Sequence, residues 1–171
     1  VCVPLCGQGS RCTPMKFGLV DSIVELTRGQ RIVAVKAVSL AEEYLADHFP
    51  TFHVLPGVLM LQAMVEAATW LVREATEFAP AVILLREAKN VTYKNFVKPG
   101  NLLTLEVTCR RLARDGSDFE GIGTCQQAEV VKARFGLRHM HPRDAGGLAA
   151  ACDEAQTSEL RAKFALLRRG S

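Results

Sequence analysis

Two stretches near the start of the chain, residues 17–26 and 31–39, are rich in apolar and β-branched residues. In the second stretch apolar and polar positions largely alternate, which is the period of a strand with one buried face. The four residues between the stretches include Gly29, and glycine is typical of a tight hairpin turn. The pattern therefore predicts a β-hairpin, followed by a short helical turn at residues 41–46.

Residues 57–76 have the character of a long helix, because they begin with a Pro-Gly step and contain no internal proline. The polar side chains fall on one narrow stripe of this helix and belong to Gln62, Glu66, Thr69 and Arg73. A helix that is apolar around the rest of its circumference must be surrounded by other structure. The polar residues also argue against a membrane span, since a carboxylate in a bilayer costs several kcal/mol.

The rest of the sequence as far as residue 138 is typical of β-strands. The predicted strands cover residues 81–88, 91–96, 102–111, 119–125 and 130–137. Turn-forming residues stand at 98–101 and 114–117, and successive strands joined by short turns form an antiparallel sheet. We therefore predict an α+β protein, in which a long antiparallel curved sheet wraps around one central helix.

The chain length of 171 residues suits one compact domain. We predict that this domain covers residues 15–138. Residues 1–14 lack periodicity and are expected to be a leader that is disordered or derived from cloning. Residues 139–171 are expected to be a linker and an extra C-terminal helix over 148–168, which docks on the body or on a neighbouring subunit.

Composition and charge exclude several classes of protein. The formal net charge is +3, without the dense basic cluster of a nucleic-acid binder. The six cysteines form no CxxC pair, so we expect free thiols in a reducing cytoplasm. His139 and His141 make a His-x-His pair in the predicted linker, where a coincidence is a better interpretation than a metal site. We expect a cytoplasmic protein with no metal, cofactor, nucleic acid or membrane as its partner.

Residues 47–64, DHFPTFHVLPGVLMLQAM, concentrate histidine, phenylalanine and proline just before the long helix. This run resembles the central motif of the FabZ and FabA type 3-hydroxyacyl-ACP dehydratases, in which HFPG precedes a short loop, PGV and a helix that bears Glu or Asp. Residues 96–102 and 29–34 look like the strand-turn segment and the first hairpin of that family, so the resemblance covers residues 17–137. It implies the hotdog fold and a hydro-lyase of fatty-acid or related lipid biosynthesis, which converts (3R)-3-hydroxyacyl thioesters to trans-2-enoyl thioesters.

Removing water from a 3-hydroxyacyl thioester requires a base for the C2 proton, an acid for the leaving hydroxyl and a donor to the thioester oxygen. His48 suits the base, because a neutral imidazole accepts a proton near pH 7. The backbone N–H of Gly57, at the positive end of the helix, suits the thioester oxygen. The residues expected to contact the substrate are Phe49, Pro56, Val58 and Phe96.

The resemblance also implies the partners of the chain. The acid comes from the helix of the facing subunit, so the active unit is expected to be a homodimer or a trimer of dimers. The thioester substrate is carried by an acyl carrier protein or by coenzyme A. Four basic residues either receive the acidic carrier protein or form only a solvated face, and these are Arg86, Lys89, Lys94 and Lys98.

The chain departs from the family pattern at Thr51, where the family has Gly, at His53, where it often has Pro, and at Gln62, where it has the catalytic acid. A carboxamide donates a hydrogen bond but delivers no proton at neutral pH. Glu66 lies one turn further along the same stripe, where the family commonly has Gln, so the pair looks exchanged. Glu66 is thus a candidate proton donor, although one turn of about 5.4 Å requires a shifted substrate or an intervening water. His53 is expected to be a loop or surface residue rather than a second base, and the alternative for His48 is that it only orders its loop.

Two other functions stay open at this point. One is a hotdog acyl thioesterase, in which Glu66 or Gln62 orients water against the thioester carbonyl. The other is a catalytically silent acyl-binding subunit that pairs with an active homologue. In that case Gln62 and Glu66 are a buried polar pair at a dimer interface without catalytic use.

Overall fold

The computed structural model of the protein describes residues 18–47, 51–141 and 150–168. Within these ranges, six strands and three helices follow one another along the chain. Their bounds are β1 Ser22–Thr27, β2 Arg31–Ala37, α1 Glu43–Asp47, α2 Gly57–Ala75, β3 Val82–Tyr93, β4 Leu102–Leu112, β5 Gly116–Cys125, β6 Ala128–Met140 and α3 Ala150–Arg168.

The six strands form one antiparallel sheet in the order β1-β2-β4-β5-β6-β3. The turn after β1 is closed by a hydrogen bond from the Gln30 N–H to the Thr27 carbonyl at 3.0 Å. The turn between β4 and β5 is closed by a bond from the Ala113 N–H to the Gly116 carbonyl at 2.9 Å. The predicted antiparallel sheet and its hairpins are therefore confirmed.

The prediction of separate strands at 81–88 and 91–96 is wrong, because β3 is continuous from Val82 to Tyr93. Asn90 has a positive φ of 51°, and asparagine tolerates this left-handed conformation better than most residues. The pairing with β6 shifts register between Lys89 and Thr92. A β-bulge accommodates the residues between the two predicted strands, and β3 pairs with β6 on both sides of it.

The boundaries of β5 and β6 also differ from those predicted. β5 begins at Gly116, so residues 116–118 pair with β6 instead of forming a turn. β6 continues to Met140 and includes His139, which the sequence placed in a linker. The His139 side chain is buried, and its ring lies 2.8 Å from the Ser117 hydroxyl. This buried hydrogen bond helps to continue the strand beyond Leu137, where the sequence placed its end.

Helix α2 lies on the inner face of the sheet, as predicted. Met64 is fully buried, and a Cβ at Gly121 would lie 2.9 Å from its sulfur atom. The glycines of β5 therefore leave the room that lets the helix pack closely on the sheet. Truncating a fully buried side chain of this size typically costs about 2–5 kcal/mol. No helix within the described ranges is both long enough and apolar enough to cross a membrane.

The C-terminal helix α3 packs on the body of its own chain. Phe164 is buried and stacks on Trp70 of α2, with ring centroids 5.9 Å apart. The Phe164 ring also meets Phe78 edge-on at 5.8 Å. The Lys163 ammonium lies 5.5 Å from the centre of the Trp70 ring. An aromatic cluster with a cation at its edge therefore fixes α3 against the distal half of α2.

Candidate active site

A cleft of 340 Å³ opens at the N terminus of α2. Its apolar wall is formed by residues from the preceding loop, from α2 and from the end of β3. These residues are Val54, Leu55, Met60, Tyr93 and Phe96, and Gly57 lies among them. The cleft therefore joins apolar side chains, which suit an acyl chain, to the start of a long helix.

The first turn of α2 is not capped by any side chain. Pro56 precedes the helix, and its carbonyl accepts hydrogen bonds from the N–H groups of Leu59 and Met60. The N–H groups of Gly57 and Val58 have no acceptor within the helix, because they stand ahead of the first α-helical bond. This end of the helix carries a partial positive charge. The site can therefore stabilise negative charge on an oxygen atom.

The ring of Tyr93 packs directly against Gly57. A Cβ at position 57 would lie 3.0 to 3.2 Å from three atoms of this ring, so a side chain there would require the ring to give by a few tenths of an ångström. Burial raises the pKa of the Tyr93 phenol above its ordinary value. Sequence reasoning missed Tyr93, because no local pattern relates a strand residue to the start of a helix distant in sequence.

The loop before α2 is fastened at two points. The Leu55 N–H donates to the Val97 carbonyl at 2.8 Å. The Nδ1 atom of His53 lies 2.9 Å from the Leu45 carbonyl oxygen, and a carbonyl can only accept, so Nδ1 carries the proton. His53 is therefore a loop residue whose ring ties the segment before α2 to α1.

The predicted base His48 and the predicted substrate contact Phe49 lie outside the described residues. Among the other predicted substrate contacts, Phe96 lines the cleft. Pro56 is buried at the start of the helix, and Val58 is 68% exposed on its outer side. The structure thus brings Gly57 and Phe96 together and places Val58 where another molecule can reach it.

Gln62 and Glu66 are not among the described residues that line the cleft. Gln62 is exposed. The Glu66 side chain is 16% exposed, accepts a hydrogen bond from the Leu19 N–H at 2.6 Å and lies 3.4 Å from the Lys163 ammonium. Within one chain, the stripe predicted to hold the proton donor is therefore exposed at Gln62 and bound to other parts of the chain at Glu66.

The four basic residues singled out in the sequence differ in their contacts. Three of them contact carboxylates: Arg86 reaches Asp118 at 2.8 Å, Lys89 reaches Glu87 at 2.8 Å and Lys94 reaches Glu129 at 2.7 Å. Lys98 instead lies over the ring of Phe52, 5.2 Å from its centre. Among the described residues, no cluster of His, Cys, Asp or Glu could hold a metal ion.

His139 and Ser117 form a buried pair at the far end of the sheet. Their Nε2 and Oγ atoms are 2.8 Å apart, and His139 Nδ1 lies 3.2 Å from the Arg114 carbonyl oxygen. Because that carbonyl accepts from Nδ1, the Ser117 hydroxyl donates to Nε2. Burial lowers the pKa of His139, which favours the neutral ring. His141 Nε2 lies 3.0 Å from the same carbonyl oxygen, so the His-x-His pair holds a turn.

A family model described as the FabA-like domain matches residues 12–133. The chain belongs to the FabA-like family. Curated relatives of this FabA-like chain carry the name 3-hydroxyacyl-[acyl-carrier-protein] dehydratase FabZ. One from Paracidovorax citrulli is 38% identical over 70% of this chain and 84% of its own length. Another, from Granulibacter bethesdensis, is 32% identical over 75% of this chain and 77% of its own length. The resemblance inferred from residues 47–64 is confirmed.

Solved structures share the fold of this FabA-like chain at low sequence identity. The dehydratase heterocomplex ApeI:P from Xenorhabdus doucetiae matches with a TM-score of 0.62 and 17% identity, over 74% of this chain and 86% of that chain. A hypothetical thioesterase with coenzyme A from Streptococcus pneumoniae matches with a TM-score of 0.53 and 16% identity, over 70% of this chain and 88% of that chain. The predicted hotdog fold is therefore confirmed.

Proposed function

We propose that this FabA-like protein is a (3R)-3-hydroxyacyl-ACP dehydratase, a hydro-lyase of fatty-acid or related lipid biosynthesis. The observation that carries the proposal is the uncapped start of α2, which opens into an apolar cleft. The FabZ name of the curated relatives supports the same reaction. Dehydration needs such a site, because negative charge develops on the thioester oxygen as the C2 proton leaves.

In the proposed reaction, His48 removes the proton from C2 and its ring becomes an imidazolium. The electron pair of the broken C–H bond forms the C2=C3 double bond, and the C3–O bond breaks. The N–H of Gly57 donates to the thioester oxygen while the enolate character lasts. The hydroxyl group takes up a proton and departs as water, and Gln62 is proposed to orient it by donating a hydrogen bond.

The source of that last proton is the open step of the proposal. Glu66 is the candidate drawn from the sequence, and its carboxylate must leave Leu19 and Lys163 to reach the hydroxyl group. Its contacts favour an anchoring role in the fold. In that case a water molecule beside Gln62 relays to the leaving hydroxyl the proton that His48 took from C2, and the imidazole becomes neutral again. The two roles differ in what Glu66→Gln changes, because anchoring affects stability and proton donation affects turnover.

The active unit is proposed to be a homodimer in the cytoplasm, with a trimer of dimers as a further possibility for its assembly. β3 stands last in the sheet order. It exposes Val82, Leu84 and Leu85 to between 42% and 50%, although an exposed apolar edge strand is a liability for a monomer. We propose that a second copy covers this edge and that the homodimer places the polar stripe of one chain near the cleft of the other.

The experiment that tests the function is a product assay with 3-hydroxyacyl-ACP, in which mass spectrometry follows the acyl chain and a thiol reagent follows free carrier. Loss of one water from the bound acyl chain, without release of thiol, is the expected result. Release of thiol would instead indicate the thioesterase. The contacts of Glu66 argue against thioester hydrolysis by this residue. A carboxylate held by Leu19 and Lys163 is not placed to orient water in the cleft.

A second candidate is the silent subunit that pairs with an active homologue, and Gln62 is the observation that favours it. The exposed carboxamide stands where the sequence pattern requires an acid. Gln62→Glu is the decisive variant, because it restores the carboxylate at this position. An inactive wild-type chain that gains dehydratase activity with Gln62→Glu would support the silent subunit. An active wild-type chain would exclude it.

A further inference from the structure

The cleft at the start of α2 offers few protons to a bound substrate. Among the described residues that line it, only Tyr93 and Lys94 have ionisable side chains. The Lys94 ammonium lies 2.7 Å from the Glu129 carboxylate. The Tyr93 hydroxyl makes no hydrogen bond within the described part of the chain, and Tyr93 is 46% exposed. Tyr93 is therefore the described residue of the cleft wall whose ionisable proton is available to a ligand.

Packing fixes the place of the Tyr93 hydroxyl. The Cζ atom, which bears this hydroxyl, is one of the three ring atoms that would contact a Cβ at Gly57. The backbone at this end of β3 is also held, because Tyr93 pairs with Val131 and the Lys94 N–H donates to the Val130 carbonyl at 2.8 Å. The phenol thus stands beside the N–H group that is proposed to receive the thioester oxygen. The 3-hydroxyl group of the substrate is two carbons from the thioester carbonyl, so a substrate bound at Gly57 holds it near Tyr93.

The acidity of a phenol suits the departing hydroxyl group. A phenol has an ordinary pKa of about 10 and therefore carries its proton at neutral pH, and burial raises the pKa of Tyr93 further. A departing hydroxide is a much stronger base than a phenolate, because water has a pKa of about 15.7. The carboxamide of Gln62 has no proton to deliver at neutral pH, and the Glu66 carboxylate is held by Leu19 and Lys163.

We propose that Tyr93 is the catalytic acid of this chain, and that its hydroxyl protonates the leaving group in place of the carboxylate that the family pattern has at position 62. The C3–O bond breaks as the phenol proton passes to the departing oxygen, which leaves as water. The tyrosinate then takes the proton of the His48 imidazolium, so both groups return to their starting forms. The proposal rests on the proposed function for the reaction, and it puts a residue where a relay water would otherwise act.

The first test is the steady-state kinetics of Tyr93→Phe with a 3-hydroxyacyl thioester. The phenylalanine ring keeps the contact with Gly57 and removes only the hydroxyl, so the thermal midpoint should stay nearly unchanged. We expect kcat to fall about 100-fold and KM to change less than about twofold, as for the loss of a general acid. Tyr44→Phe is the matched control, because Tyr44 belongs to α1 and is not among the described residues that line the cleft. It should leave kcat unchanged.

The second test uses a 3-chloroacyl thioester, from which chloride leaves without a proton. His48 removes the C2 proton as before, the C2=C3 bond forms and the C3–Cl bond breaks. Tyr93→Phe should therefore eliminate chloride within about twofold of the wild-type rate, although it loses about 100-fold with the 3-hydroxyacyl thioester. Equal losses with both substrates would mean that Tyr93 donates to the thioester oxygen, and they would overturn the proposal. A selective loss in Glu66→Gln instead of Tyr93→Phe would overturn it too.

Failure of this assignment and failure of the proposed function are distinguishable. A wild-type protein that dehydrates the 3-hydroxyacyl thioester, with Tyr93→Phe equally active, keeps the reaction and contradicts the role of Tyr93. A wild-type protein that neither dehydrates this thioester nor eliminates chloride contradicts the proposed function, and the role of Tyr93 fails with it.

Discussion

The Glu66 carboxylate accepts a hydrogen bond from the backbone N–H of Leu19 at 2.6 Å, which ties the middle of α2 to the segment that leads into β1. Lys163 of α3 lies 3.4 Å from the same carboxylate. One side chain of the central helix is therefore contacted from both ends of the described chain. A carboxylate with two such contacts is well placed to hold the fold together.

The first prediction separates anchoring from catalysis at Glu66. Glu66→Gln keeps an oxygen for the Leu19 N–H but removes the charge, so the free energy of unfolding should fall by about 1 kcal/mol. Turnover should change by less than about tenfold. When Lys163→Met is added to Glu66→Gln, the free energy of unfolding should fall little further, because the charge that Lys163 contacts is then absent. A loss of about 100-fold or more in kcat, with no loss of stability, would show that Glu66 supplies the proton.

The second prediction concerns the close contact between Gly57 and Tyr93. Gly57→Ala places a methyl group 3.0 Å from the Tyr93 ring, so the ring and the start of α2 must move apart by a few tenths of an ångström. We expect kcat/KM to fall about 10-fold to 100-fold, because the N–H group that receives the thioester oxygen is displaced. Thermal melting should show a small loss of stability. Tyr93→Leu added to Gly57→Ala should recover that stability, and an unchanged kcat/KM in Gly57→Ala would contradict the donor role.

The third prediction distinguishes the two histidines of the loop. His48→Ala should abolish dehydration with almost no change in the thermal midpoint, because a catalytic imidazole contributes chemistry more than packing. His53→Ala should lower the thermal midpoint, since it removes the bond from Nδ1 to the Leu45 carbonyl, and should retain activity. Steady-state kinetics and melting curves of both variants test this pair. Full activity in His48→Ala would identify another base, with His53 as the first to examine.

The fourth prediction concerns the exposed edge of the sheet. Sedimentation should show a homodimer at micromolar concentration, because Leu84 and Leu85 of the edge strand are 50% and 42% exposed in the single chain. Leu84→Arg should shift the equilibrium towards the monomer and lower activity in parallel, since the polar stripe of α2 that carries Gln62 is expected to come from the facing subunit. Leu166→Arg is the matched control, because Leu166 is 65% exposed on α3 and away from that edge. A stable wild-type monomer would refute this arrangement.

The fifth prediction is a pH dependence that arises from His139. Burial holds the pKa of this ring below its ordinary value of 6.5, so the unfolded chain binds a proton more readily than the folded chain. The stability from the neutral ring is fully present above about pH 6.5 and is lost as the pH falls towards the folded pKa. The thermal midpoint should therefore fall between about pH 7 and pH 5. His139→Gln should be less stable at pH 7, and its thermal midpoint should fall less steeply between pH 7 and pH 5 than that of the wild type. If the thermal midpoints of the two proteins depend on pH in the same way, His139 is not the source of the pH dependence.

Much of the fold was predictable from the sequence, because its signals are local. The apolar stretch with one polar stripe determined α2 to within a residue, since a helix of that composition has to be buried. Alternation and turn residues determined the hairpin of β1 and β2. The family motif indicated the importance of Gly57, and the structure places that residue at an uncapped helix start in an apolar cleft.

Other features were decided by tertiary structure alone. From the sequence, Asn90 and its neighbours were predicted to separate two strands. Only the pairing with β6 shows that β3 continues through this point as a bulge. Lys163 and Glu66 are 97 residues apart in the sequence, and Tyr93 is similarly remote from Gly57, so no local pattern could connect either pair. The physical reason is that periodicity reports which face of an element is buried, whereas the partner of each side chain depends on how the elements pack.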